Sequence, residues 1–121
     1  MIDSLCARGH TPYREIGHRA VDFTLERAGI QHSSEEVQML VSEIEKLKPF
    51  PEVPAALERL GARYRMAILS NGDRDMLGAA KPHIGFPFED TISVQEAGAF
   101  KPHHCTYETA AKILDLDRST I

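Results

Sequence analysis

Three small residues, Ser70, Asn71 and Gly72, end the apolar run "YRMAIL" and stand just before an acidic, helix-opening segment. A hydroxyl, an amide and exposed backbone N–H groups at the end of a strand form a neutral cradle for a small anion. The same residues also fit a plainer role, with Asn71 or Asp73 capping the next helix and Ser70 filling a turn. Spacing alone leaves both open. Lys101 adds a cation. In "AFKP" it precedes Pro102, which biases its backbone to an extended form at the mouth of a helix. It also follows a second predicted strand by a short loop, so it belongs to the same edge of the sheet as Ser70.

Other groupings point to less. His103, His104 and Cys105 are adjacent at a helix start and diverge, which disfavours a zinc site. His10, His18, His32 and His83 are scattered and expected at the surface. Asp73 and Asp75 read as charges in the first turn of a helix, where an anion is favoured. No Ser-His-Asp or Cys-His arrangement stands in a recognisable context.

The elements that must position these residues differ between the two halves of the chain. Pro12 to Gly29 reads as a helix, with Ile16, Ala20, Phe23 and Leu25 at helical spacing and Thr11–Pro12 as cap and first turn. Ser33 to Lys48 reads as a second helix, with Val37, Leu40, Val41, Ile44 and Leu47 on one stripe. The proline-rich "KPFPEVP" then marks a boundary, dividing a helical segment (1–48) from an alternating one (49–121). The alternating part predicts helix (52–60), strand (65–69), helix (73–81), strand (91–94), helix (102–114), and a further strand begun by "LDRSTI". That order means a parallel α/β sheet. Two clear strands are few for one, so the sheet is expected to be incomplete.

Composition limits the partners. The 121 residues hold 42% hydrophobic and 26% charged residues with a net charge of −4 and no basic run, which argues against nucleic acid. Apolar runs are too short to span a bilayer, and "MIDSLCARG" lacks the pattern of a secretory signal. Cys6 and Cys105 read as free thiols of a reducing compartment, so a cytoplasmic location is expected.

"LKPFPEVPAALERL", "YRMAILSNGD" and "SVQEAGAFKPHHCTYETA" together resemble the haloacid dehalogenase superfamily, in particular its 2-haloacid dehalogenase branch. "LSNG" matches the second motif of that superfamily and "AFKP" the third. The resemblance implies a partial Rossmann-like core (49–121) under a helical cap segment (1–48). It implies that Ser70 holds a substrate carboxylate and Asn71 cradles the leaving halide. Lys101 would support a nucleophilic carboxylate, and Tyr107 would line the pocket near Lys101. Tyr107 also shares a helix stripe with Ala110, Ala111 and Leu114, which suits core packing. The implied reaction is hydrolytic dehalogenation of a short 2-haloacid through an aspartyl ester, without a metal. The family's nucleophilic aspartate, an early arginine and a fourth-motif acid have no counterpart here, so the chain is expected to be truncated at both ends and inactive alone. A phosphatase of the same superfamily, requiring Mg²⁺, and an inactive binding or scaffold module are the alternatives. An incomplete sheet also invites self-association.

Overall fold

A computed structural model describes residues 10–121. Asp3 and Cys6 lie outside the described residues. Helix α1 (Tyr13–Arg27) begins after Pro12, which supplies no side-chain cap, so Thr11 does not act as the expected cap. Helix α2 (Ser34–Glu43) is closed by a capping box, with the Ser33 Oγ accepting from Glu36 N–H and the Glu36 carboxylate accepting from Ser33 N–H. A 3₁₀ turn (Ile44–Lys46) finishes it before the prolines.

The helices pack α1 on α2 through a narrow stripe. Val37 and Val41 are buried, and Val41 fits the gap left by the missing side chain of Gly17. The rest of the expected stripe is not covered: Phe23, Leu40, Ile44 and Leu47 are exposed. The i,i+4 valines are the residues of the stripe that are buried, because the stripe is wider than one helix-helix seam.

Helix α3 (Val53–Gly61) leads to strand β1 (Ala67–Ser70), then α4 (Arg74–Ile84), strand β2 (Asp90–Ser93) and α5 (His104–Ile113). The strands pair in parallel, Ala67 with Asp90 through Ser70 with Ser93. They form a two-stranded sheet, a small parallel sheet with helical crossovers as expected. Helix α4 runs past Lys81 and through Pro82, ending where Gly85 turns left-handed at φ +72°. The core gathers beneath β2: Ile92, Val94, Cys105, Ala110 and Ala111 are buried, with Val94 fully so. Burying one such valine stabilises the fold by about 1.5–3 kcal/mol.

"LDRSTI" does not form the expected strand. Arg118–Thr120 is a 3₁₀ turn, because Asp117 Oδ1 accepts from the Ser119 N–H at 2.8 Å and closes the backbone on itself. No helix among the described residues is long and apolar enough to cross a membrane.

Candidate active site

The carboxyl ends of β1 and β2 bring the two motifs together. Ser70 closes β1, and its Oγ accepts the Gly72 N–H at 3.1 Å, folding the turn tightly. Ser93, its register partner, donates to Gly72 O at 2.7 Å and is itself buried. The glycine of the turn is thus held through both its N–H and its C=O.

Lys101 is fastened to the same turn twice. Its backbone N–H donates to Asn71 Oδ1 at 2.8 Å, and its Nζ reaches across to donate to Leu69 O at 2.7 Å. The carbonyl-like Oδ1 of Asn71 must face that N–H, which leaves its amide NH2 as a donor with no acceptor among the described residues. An ammonium carries three donors, so Lys101 keeps capacity for an anion beyond Leu69. The long lysine stem is therefore fixed by its head as well as its backbone.

Ser70, Asn71 and Gly72 line a cavity of about 250 Å³. Its opposite wall comes from the helical half and from α4: Tyr13, Glu45, Met76 and Leu77. Sequence reasoning missed Tyr13 and Glu45, which lie on elements far from the motifs. Tyr107 is not part of this wall. It is 49% exposed rather than buried on its stripe, and it lines a separate hollow with Pro102, the residue after Lys101, and with His104 and Arg118.

Arg14 ties the halves electrostatically. Its guanidinium lies 2.6 Å from Glu45 and 2.9 Å from Asp75. The hydrogen bond from Arg14 holds Asp75 below the usual carboxylate range, and the same bond raises Arg14. The sequence put Asp75 in the first turn of α4 and it lies there, but its main partner is Arg14.

Asp73 departs further from the local rule. It occupies the N-cap position of α4 yet its side chain makes no bond to that helix; its carboxylate accepts from Tyr13 N–H at 2.9 Å and Arg14 N–H at 2.8 Å instead. His10 is not a surface residue either. Its ring stacks on Phe100 at 4.7 Å, and its Nε2 lies 3.9 Å from Asp73. His103 Nδ1 lies 3.1 Å from the buried Cys105 Sγ, and among the described residues no set of three His, Cys, Asp or Glu side chains gathers as metal ligands.

Residues 7–121 match the family model of the haloacid dehalogenase-like hydrolases, and the chain belongs to that family. It is 33% identical over 120 residues to haloacetate dehalogenase H-2 of Moraxella sp. (strain B), covering 96% of this chain and 54% of that protein. It is also 33% identical over 112 residues to an (S)-2-haloacid dehalogenase of Pseudomonas sp. (strain YL), covering 90% of this chain and 48% of the relative. The L-2-haloacid dehalogenase of Xanthobacter autotrophicus, solved with chloropropionic acid covalently bound, superposes with a TM-score of 0.81 at 28% identity, over 89% of this chain and 44% of that one. The chain spans about half the length of the curated relatives it matches.

Proposed function

We propose that these residues form one wall of the active site of a hydrolytic 2-haloacid dehalogenase. The observation that carries this reading is the double clasp of Lys101 on Leu69 and Asn71, which fixes a lysine against the turn whose Ser70, Asn71 and Gly72 line one small cavity. In the proposed reaction an aspartate carboxylate attacks C2 of the haloacid, the carbon–halogen bond breaks, and halide leaves with the electron pair. Water then cleaves the ester to give the 2-hydroxyacid and regenerate the carboxylate. Lys101 keeps that carboxylate ionised and oriented. Ser70 binds the substrate carboxylate, and the free amide of Asn71 faces the departing halide. The helical half serves as a cap, with Tyr13 closing the cavity over the substrate.

The nucleophile comes from outside the described residues in this reading. Asp73 already accepts two backbone N–H groups, Asp90 begins β2 at the far edge, and Asp75 is paired with Arg14. No metal is required, because a single halide leaves as a weakly basic anion. The phosphatase alternative differs on this point, since a transferring phosphoryl group is met by Mg²⁺ as well as lysine. In a protein of the relatives' length carrying these residues, chloride release from 2-chloropropionate is expected to persist in EDTA. Turnover of p-nitrophenyl phosphate that EDTA stops and Mg²⁺ restores would replace the dehalogenase with the phosphatase.

A further inference from the structure

Helix α1 starts at a proline that cannot cap it, so its leading N–H donors need an acceptor from elsewhere. Helix α4 presents the opposite mismatch. Asp73 sits at its N-cap position, 4% exposed, in the extended conformation that suits a cap, yet its side chain makes no cap bond to α4. The two mismatches resolve each other. Asp73 gives one oxygen to Tyr13 N–H and the other to Arg14 N–H, the first two donors of α1, some 60 residues away in sequence. Helix α4 is supplied from elsewhere: its first N–H, Arg74, donates at 2.8 Å to Gln95 Oε1 from the turn after β2, and Met76 N–H, which an N-cap side chain could have taken, donates to Asp75 Oδ1 at 2.9 Å.

We infer that Asp73 is a positioning residue, a cap lent by the Ser70–Asn71–Gly72 turn to helix α1 that sets Tyr13 across the cavity from Ser70 and Asn71. The geometry explains why the carboxylate can be buried: two helix N-termini face it, and each presents the positive end of its dipole. His10 Nε2 lies 3.9 Å from it. A residue two positions beyond Asn71 thereby fixes the register of the helical half on the site. Its role as a part of that site rests on the dehalogenase reading; its role as a cap does not.

Hydrogen exchange on the intact protein, followed by mass spectrometry, separates the two. In Asp73→Ala the peptide holding Tyr13 and Arg14 should exchange faster by about tenfold, the size of a lost helix cap, while the β1–β2 ladder keeps its protection. Asp73→Asn, which retains one acceptor oxygen, should fall between and covers the case in which the alanine variant does not fold. Propionate, an unreactive monocarboxylate, should add protection over Ser70–Gly72 and over Tyr13 in the wild type, and only over Ser70–Gly72 in the variants. Unchanged exchange at Tyr13 and Arg14, or a uniform loss across the ladder, would overturn the cap. Propionate protection of Tyr13 that survives in both variants would overturn the positioning role. Propionate failing to protect Ser70–Gly72 in the wild type would count against the substrate site itself, with the exchange of Tyr13 and Arg14 still deciding the cap.

Discussion

The turn at the end of β1 and the helical half are held together in opposite ways. Around Ser70–Asp73 the bonds join residues far apart in sequence and are part-buried: Ser93 to Gly72, Lys101 to Asn71 and Leu69, Asp73 to Tyr13 and Arg14. In the helical half two valines are buried, Phe23, Met39, Leu40 and Leu47 are exposed, and the ion pairs Arg19–Glu15 and Lys46–Glu43 lie at the surface. Exposed pairs of that kind contribute about 0–1 kcal/mol. The difference teaches where rigidity has been placed: the turn is over-determined, while the helical half is joined to it by Arg14 and Asp73 and by the packing of the Ile44–Lys46 turn on α4.

The largest effect should come from cutting the clasp. In an active protein carrying these residues, Lys101→Ala should abolish chloride release, because the nucleophile loses its fixed counter-charge. Asn71→Ala should lower kcat by about 3 kcal/mol, roughly a hundredfold, as for removal of one oxyanion-type donor. Steady-state kinetics with 2-chloropropionate would show it, and a kcat within a factor of two of wild type would mean that Asn71 does not meet the halide.

A paired truncation sharpens the contrast in packing. Val94→Ala, in the closed space beneath α5, should cost about 2 kcal/mol. Phe23→Ala removes more atoms from a side chain that is 58% exposed and should stay within about 0.5–1 kcal/mol. Urea denaturation of both variants decides this. Equal losses would show that Phe23 is covered in solution.

The smallest effect lies within the helical half. Both ring nitrogens of His32 face acceptors, the Ile30 carbonyl at 2.9 Å and the Asp22 carboxylate at 2.8 Å. That carbonyl first, and then Asp22, raise the imidazole above its ordinary value. The folded state therefore holds its proton more tightly than the unfolded one. The stability this adds is complete below the ordinary value of about 6.5 and is lost as pH rises through the raised value. Between about pH 6 and about pH 8 the wild-type Tm should fall slightly relative to His32→Gln, and parallel profiles would remove His32 from the account.

The contrast between the regions also explains what could be read in advance. Ser70, Asn71 and Lys101 were legible because a strand end, a helix mouth and a following proline are local signals, and the parallel sheet follows from the alternation of elements. Tyr13, Glu45 and the true partner of Asp73 were not, because each depends on contacts across the chain that no local rule encodes. The capping rule in fact pointed Asp73 to its own helix, and only the proline ahead of Tyr13 hinted that α1 needed a foreign cap. Periodicity misplaced the exposed half of the α2 stripe in the same way, since it reports which residues share a face and not how much of that face is covered. At "LDRSTI" the alternation of elements pointed toward a strand, but the Asp117–Ser119 side-chain turn is satisfied locally and wins.

The central proposal is that the turn of Ser70 and Asn71 clasped by Lys101 processes a 2-haloacid. The most direct measurement is chloride release from 2-chloropropionate by a chimera in which this chain replaces the matching stretch of one of its curated 2-haloacid dehalogenase relatives. The 121-residue polypeptide alone should release none. The chimera should release chloride in EDTA at a rate well above that of its Lys101→Ala form. A chimera that folds, as judged by circular dichroism and a cooperative melt, yet releases no chloride would contradict the proposal.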